Sequence, residues 1–585
     1  MLFGKYVNNF YKKYLFFFLF GVIALIVVDY VQLLIPENFG MIVDEIKDGT
    51  ILSDQSILLR HITIIAVSAI IIFFGRFTWR YTLFGVSVRI ETDLRDLMFI
   101  HNEKLSYSYY KQHKTGALMA LYTNDIQAIK AYFGDGVIMI VDFLFLGSMT
   151  LYKMFKLNVM LTLICLIPAI VIGVTSVFIS KKLEEKFAVR QKSYEKLSDF
   201  TQENFSGISV IKAFNKEKQE LKEFNNINQE NYDKNIGFLR YYMILNSALI
   251  LIISLITGII FSVGAYLIIN DDSKFTVGNL NTYSLYFSTL VWPIMAVANY
   301  ISLHSQAGAS LRRITELLDE EVDIKDDNVV DNDINGKIVF KNLSFKYPDG
   351  DDYVLNNMSF TINKGEFVGI LGKTGSGKST IVDLLVRLYN VSCDSIYLDD
   401  TDIMNLPFKK VRENIGYVPQ ENFLFSDTID NNIAFSDKNV DQDKVVNSAV
   451  LADVDANIKD FSEGYQTVLG ERGVSLSGGQ KQRVSIARAL YKNPPVLIFD
   501  DSVSAVDTKT ETKILKNLRE FRKDKTTIMI SHRISTVKNL DKIILIDEGK
   551  VIDVGSHEEL YKRCSLYQEM VNLQTLEEEV NSDGK

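Results

Sequence analysis

The chain has 585 residues, of which 63 are basic and 72 acidic, for a formal net charge of −9. At about 150 residues per domain this is roughly four domain-sized units, and a composition 47% hydrophobic and 23% charged excludes a disordered or collagen-like chain. The acidic balance argues against nucleic acid as a partner, and the scattered Cys165, Cys393 and Cys564 supply neither a disulfide framework nor metal-ligand spacing. A mean hydropathy of +0.08 beside so many charges implies one apolar half and one charged half.

The apolar half comes first. Residues 157–180, 241–270 and 275–311 carry no charged side chain over 24, 30 and 37 positions. A bilayer core of about 30 Å needs roughly 20 apolar residues in a helix, so each can span. Residues 14–34, 57–79 and 137–152 complete a set of six predicted spans. They contain or end near Asp29, Arg76 and Asp142. The charged start before Tyr14 resembles the opening of a signal peptide, but no small-residue cleavage site follows, so it reads as the approach to the first span.

Lysine and arginine placement orients the spans. Lys5, Lys12 and Lys13 precede the first; Arg80, Arg89, Arg95, Lys104, Lys111 and Lys114 follow the second. Lys181, Lys182, Lys186, Arg190 and Lys192 follow the fourth, and Arg312 and Arg313 the sixth. These belong in the cytoplasm, and the acidic links at residues 44–48 and 270–274 outside, with Lys153 and Lys156 a mild exception. The proline-free cytoplasmic stretches 80–132 and 181–239 predict helix pairs reaching on the order of 37 Å below the membrane, at 1.5 Å per residue. Their turns fall near residues 110–115 and 201–209, where a membrane domain could touch a cytoplasmic engine.

Residues 319–336 are acidic and lack aromatics, which predicts an extended linker. Beyond it, short apolar runs at 367–371, 395–398, 415–418, 496–499, 526–530 and 542–546 alternate with amphipathic stretches. That pattern predicts an α/β domain with a largely parallel sheet.

Gly372, Lys373, Thr374, Gly375, Ser376, Gly377, Lys378 and Ser379, then Thr380, match G-x-x-x-x-G-K-[ST] between a strand and a helix. Such glycines turn backbone N–H groups onto phosphate oxygens, and the helix N-terminus adds positive potential. Lys378 supplies a point charge to the β- and γ-phosphates of ATP, and Ser379 offers its hydroxyl to Mg2+. Asp500, at the end of the strand candidate 496–499, is placed to hold Mg2+ as well, and Asp501 follows it.

Between these features lies Leu476-Ser477-Gly478-Gly479-Gln480. With it the second half resembles the nucleotide-binding domain of ATP-binding cassette (ABC) proteins across nearly its whole length. The resemblance implies that Tyr347 stacks on adenine and that Gln420 meets Mg2+ and the membrane domain. It also implies that Glu471 couples to that domain, that Asp507 makes a dimer contact, and that His532 senses the γ-phosphate. Leu476, Ser477, Gly478, Gly479 and Gln480 would contact the ATP of a second subunit.

Six spans followed by one cassette resemble the ABC exporter half-transporters. The expected architecture is an α-helical polytopic membrane domain, six spans with long cytoplasmic extensions (1–318), joined by the linker 319–336 to an α/β P-loop ATPase domain of the ABC type (337–575), with an acidic tail 576–585. One departure stands out: the position after the strand-end aspartate, normally glutamate, is Asp501. This resembles the degenerate-site subunit of bacterial heterodimeric multidrug exporters, with catalytic-site residues Asp501, His532 and Gln420, a second half-transporter as partner, and a small hydrophobic substrate moved across the cytoplasmic membrane by alternating access. A homodimeric exporter, a lipid or lipid-linked flippase and an ATP-gated channel share the architecture. Asp29 and Asp142 are expensive in hydrocarbon and are expected to face a cavity or a hydrogen-bond partner, and Arg76 is expected to snorkel to the interface.

Overall fold

A computed structural model describes residues 4–270, 275–326, 329–470, 473, 476–503 and 506–583. The chain forms two compact units. One holds Met1–Glu103 with Thr115–Glu320, the other Lys104–Lys114 with Glu321–Lys585.

The first unit is helical. Five helices among the described residues are long and apolar enough to cross a membrane: Leu15–Lys47, Gln55–Asn102, Thr115–Leu157, Glu217–Ile269 and Val277–Asp319. The fourth predicted span lies on the helix Val159–Ser206, where the described apolar stretch is the shorter Val159–Pro168. Five candidate spans are thus seen among the described residues. At 1.5 Å per residue the 48-residue helix Gln55–Asn102 is about 72 Å long, more than twice the hydrocarbon thickness, so it combines a span with a polar extension.

Close helix approach is built with glycine. A Cβ on Gly40 would lie 1.9 Å from Thr282 Oγ1, and one on Gly278 would lie 2.0 Å from the Gly40 carbonyl oxygen. Only hydrogens fit where these two helices cross. Asp44, one turn further on, accepts from Gly278 N at 2.7 Å and from Thr276 Oγ1 at 2.5 Å, capping the helix Val277–Asp319. Lys153, the charge exception in an outer link, pairs with Glu37 at 2.6 Å.

The third span is not a plain helix. Residues 115–157 contain three π turns, Leu121–Asp125, Tyr132–Gly136 and Asp142–Gly147. Each shifts the side-chain phase by one residue, and such turns recur at functional positions. They carry two buried acids, Asp125 and Asp142. Asp125 accepts from Ser310 Oγ at 2.7 Å and from Arg313 Nε at 3.1 Å, tying this helix to the end of Val277–Asp319. The predicted cytoplasmic turns fall at His113–Lys114, after the helix Tyr107–Gln112, and at Gly207, before the short helix Ile208–Ala213.

Among the described residues the second unit holds ten strands: β1 Ile338–Phe345, β2 Leu355–Ile362, β3 Phe367–Gly372, β4 Ile396–Leu398, β5 Thr401–Asp402, β6 Ile415–Val418, β7 Val496–Asp500, β8 Thr526–Ser531, β9 Lys542–Asp547 and β10 Lys550–Gly555. Strands β2-β1-β4-β5 form an antiparallel sheet. Strands β10-β9-β3-β8-β7-β6 form the central sheet, parallel from β9 to β6. Every residue of β3, β7 and β8 is buried, which is why β3 and β7 read as apolar runs and β8 has the apolar centre Ile528, Met529 and Ile530. Sequence periodicity did not single out β1, β2, β5 or β10. The first two alternate buried and exposed residues, and β5 has only two residues.

The acidic linker is extended and pinned to this unit. Val330 N donates to Asn405 O at 2.7 Å, Asp326 accepts from Phe408 N at 2.9 Å, and Lys410 pairs with Asp331 at 2.5 Å and Asp333 at 3.3 Å.

Candidate nucleotide-binding site

The carboxyl ends of neighbouring parallel strands bring the predicted phosphate residues together. Leu371 of β3 pairs with Ser531 of β8, and Ile530 of β8 with Asp500 of β7. A cavity of about 280 Å³ opens there. Its wall takes Thr374, Gly375, Gly377, Lys378, Ser379 and Thr380 from the segment after β3, Gln420 after β6, Asp500 at the end of β7 with Asp501 just beyond it, and Ile530 from β8 with His532 just beyond it. Ligands of open α/β sheets bind in this position.

The loop needs its glycines. Gly375 (φ +82°) and Gly377 (φ +94°) are left-handed, and a Cβ on Gly377 would also lie 2.6 Å from Leu355 Cδ2. A Cβ on Gly372 would lie 2.2 Å from the Ile546 carbonyl oxygen. Lys378 opens the helix Lys378–Leu385, and its Nζ donates to the carbonyls of Gly372 at 2.8 Å and Lys373 at 2.7 Å. Burial pushes its ammonium down from the usual lysine range, against the pull of Asp500 and Asp501. The Ser376 hydroxyl is buried with no hydrogen-bond partner among the described residues.

Asp500 is buried, and burial raises its carboxyl, opposed by hydrogen bonds from Ser379 and Tyr417. A serine hydroxyl bonded to a strand-end carboxylate is an all-oxygen donor pair, the kind Mg2+ takes together with phosphate oxygens. Asp501 has φ +47°, uncommon for a residue with a Cβ. Its N–H donates to Ile530 O at 2.9 Å and its Oδ2 lies 3.2 Å from His532 Nδ1.

Tyr347 stands beside the cavity. Its hydroxyl is 2.9 Å from Thr380 Oγ1, and its ring meets Phe345 and Tyr389 edge-on at 5.2 and 5.1 Å. Lys111 Nζ lies 4.7 Å above the same ring.

Leu476 is buried, and Ser477 caps the helix Gly478–Lys492 through a reciprocal pair: its Oγ accepts from Gln480 N at 3.3 Å and its N–H donates to Gln480 Oε1 at 2.9 Å. The cap fixes the entry to a helix whose first-turn amides, including those of Gly478 and Gly479, point outward. Asp507 caps Thr508–Phe521, accepting from Lys509 N and Thr510 N at 3.1 Å each, which holds its carboxyl below the usual range. Glu471 lies outside the described residues.

Known proteins agree with this geometry. The family described as ABC transporter transmembrane region matches residues 18–294, and the ABC transporter family matches residues 355–504. The chain is 34% identical to the Bacillus subtilis protein described as probable multidrug resistance ABC transporter ATP-binding/permease protein YheI, over 98% of this chain and 97% of the relative. This chain belongs to the ABC exporter half-transporters. The Escherichia coli multidrug resistance-like ATP-binding protein MdlA is 32% identical over 98% of this chain and 96% of that protein. A bacterial Atm1-family ABC exporter solved with ATP bound superimposes with a TM-score of 0.77 at 27% identity, covering 97% of this chain and 99% of the other. The half-transporter therefore sits in a membrane with several spans, dimerises, binds nucleotide and couples ATP hydrolysis to export.

Three residues of the half-transporter's cassette escaped the sequence reading. Arg488, on the helix Gly478–Lys492, donates to Asn432 O at 2.7 Å and Phe423 O at 2.9 Å, and burial lowers its guanidinium to about 10. It ties the LSGGQ helix to the segment that follows Gln420. Arg387 is 1% exposed and donates to Leu406 O at 2.6 Å. Gln574, near the C-terminus, donates to His532 O at 2.6 Å and accepts from Ile534 N at 2.7 Å, bracing the histidine loop. Each uses backbone carbonyls or amides as partners, which leave no residue pattern to read.

Proposed function

We propose that the chain is the ATP-holding subunit of a heterodimeric exporter of hydrophobic or amphipathic compounds in a bacterial cytoplasmic membrane. It would have six spans (1–318), a linker (319–336), a cassette (337–575) and an acidic tail (576–585), with the N-terminus and cassette cytoplasmic. The observation that carries this reading is Asp501 beside an otherwise complete set of ATP residues. Aspartate is one methylene shorter than glutamate, so its carboxylate stands back by about 1 Å from water attacking the γ-phosphate, and misplacement on that scale costs on the order of 100-fold.

In this reading the loop Gly372–Lys378 cradles the phosphates and Tyr347 stacks on adenine. Ser379, Gln420 and Asp500 hold Mg2+, which neutralises phosphate charge when bound. His532, positioned by its contact with Asp501, meets the γ-phosphate. Ser477, Gly478 and Gly479 close over ATP held by the partner, Asp507 lies at the cassette interface, and Glu471 transmits closure to the helices. The relatives described as multidrug proteins support the substrate class.

The test is ATP turnover of the chain purified alone and with its genomic neighbour. Turnover is expected to be slow alone and to rise at least about tenfold on adding a partner that carries glutamate, or on Asp501→Glu. Brisk turnover alone, unchanged by Asp501→Glu, leaves a homodimer. ATPase stimulated by lipid and not by amphipathic dyes, in vesicles, replaces multidrug export with a flippase.

A further inference from the structure

His532 meets the nucleotide cavity from the first position beyond β8, with a side chain that is 51% exposed. Its Nδ1 faces Asp501 Oδ2 at 3.2 Å, so the nitrogen it can offer a phosphate is Nε2. The short helix Ile534–Val537 follows at once, and Arg533, at its N-cap, makes no side-chain cap. Where the imidazole points therefore depends on how residues 532–534 are fixed by the rest of the cassette.

Part of that fixing comes from the helix Ser565–Asp583, near the end of the chain. Its Tyr567, Met570 and Val571 pack on the core that also contains Ile534 and Val537. Gln574 continues the same face, three residues beyond Val571 and four beyond Met570, and is half-buried. Both ends of its amide are used. Nε2 donates to His532 O at 2.6 Å, and Oε1 accepts from Ile534 N at 2.7 Å. The second bond is the helix cap that Arg533 does not supply, delivered from 40 residues away.

The far end of the same turn is held separately. Thr536 Oγ1 donates to Glu511 Oε1 at 2.6 Å, both residues buried, which ties it to the helix Thr508–Phe521. Glu511 thus anchors the end remote from the cavity, and Gln574 the end that carries the imidazole. An apolar side chain at position 574 would dock the helix Ser565–Asp583 equally well. An amide with its donor on His532 and its acceptor two residues further on also fixes the rotation of the peptide planes from which the imidazole projects. Displacement of a reacting group by about 1 Å is enough to cost on the order of 100-fold.

We propose that Gln574 is a positioning residue for His532, an assignment that rests on the reading of His532 as the group that meets the γ-phosphate. Gln574 sets how far the imidazole reaches, so the helix Ser565–Asp583 is part of the means by which this cassette tells ATP from ADP.

Full-length protein in lipid nanodiscs is titrated, with Mg2+ present, with the fluorescent mant derivatives of AMP-PNP and ADP, which differ by the γ-phosphate. The ratio of the two affinities is decisive, because damage to the fold weakens both nucleotides alike. The unaltered chain is expected to prefer mant-AMP-PNP. Gln574→Met, similar in length but without either hydrogen bond, is expected to lower that preference about fivefold, the worth of one hydrogen bond, with mant-ADP affinity kept within about twofold. His532→Ala lowers the preference too, and Gln574→Met added to it takes away nothing more, since a residue acting through the histidine has nothing left to act on. An unchanged preference in Gln574→Met beside a lost one in His532→Ala overturns the inference and leaves the reading of His532 standing. A full further loss in the double variant does the same. An unchanged preference in His532→Ala, or none in the unaltered chain, overturns that reading and the inference with it. Where Gln574→Met weakens both nucleotides, Gln574→Glu decides, because the ionised carboxylate still accepts from Ile534 N and has no donor for His532 O. A lowered preference with mant-ADP binding intact sustains the inference; an unchanged preference, or loss of both nucleotides again, overturns it.

Discussion

Lys378 holds a positive charge in a place that disfavours it. Burial lowers its ammonium, and two loop carbonyls hold it in position. A phosphate group facing it would restore the favourable field, with a charge-assisted hydrogen bond about twice as strong as a neutral one. Lys378→Ala is therefore expected to weaken binding of a fluorescent ATP analogue to this chain by about tenfold or more. Gly377 poses a different constraint at the same loop, because its φ of +94° and the 2.6 Å approach to Leu355 both exclude a Cβ. Gly377→Ala is expected to cost about 1–2 kcal/mol from the left-handed backbone alone, read as a lower thermal midpoint of the full-length protein. Asp501 differs again, since a left-handed residue with a Cβ stores strain at a functional position.

At the level of elements, composition marks the linker as extended chain, and Asp326, Val330, Asp331 and Asp333 hold it to the cassette it precedes. Its two anchors are unequal in energy. Lys410 meets Asp331 and Asp333 in ion pairs whose carboxylates are exposed and screened by solvent, so they contribute little. Arg387 is buried, burial lowers its guanidinium, and it serves Asp326 and two backbone carbonyls at once. Arg387→Met is expected to cost about 2–4 kcal/mol through stranded carbonyls, with faster proteolytic cleavage in the linker; Lys410→Met is expected to leave the cleavage rate nearly unchanged. The helix Gly478–Lys492 is fixed at both ends in a comparable way, by the Ser477 cap and by Arg488. The capped end presents free amides outward, and the braced end carries any movement to the segment after Gln420.

For the whole molecule, the proposed division of labour predicts an asymmetry. Under that proposal the chain's phosphate loop would serve its own slow site, and its LSGGQ helix would serve the partner's faster one. Ser477→Arg in this chain is expected to lower steady-state ATP turnover of the assembled heterodimer by about tenfold or more, a loss of transition-state stabilisation worth at least about 1.4 kcal/mol. Lys378→Ala in this chain is expected to lower it by less. Equal losses from the two substitutions, measured in the same preparation, are the outcome expected of a symmetric homodimer instead.

How much of this was legible before any coordinates can be traced residue by residue. Phosphate chemistry was readable because glycine spacing, a lysine and a following helix are local requirements, met within eight consecutive residues at 372–379. The buried strands β3 and β7 were readable because burial on both faces leaves an apolar run, and β8 because Ile528, Met529 and Ile530 form its centre. The meeting of Lys378, Asp500 and His532 around one cavity was implied by the family resemblance and not by any local pattern, because it depends on which strands are neighbours, and those lie far apart in the chain. The same holds in the membrane. Sequence alone marked Asp29 and Asp142 as costly, one on each of two spans; that they share a cavity with both tryptophans was decided by helix packing. What a residue must be is written locally, and whom it meets is set by long-range contacts that no short pattern records.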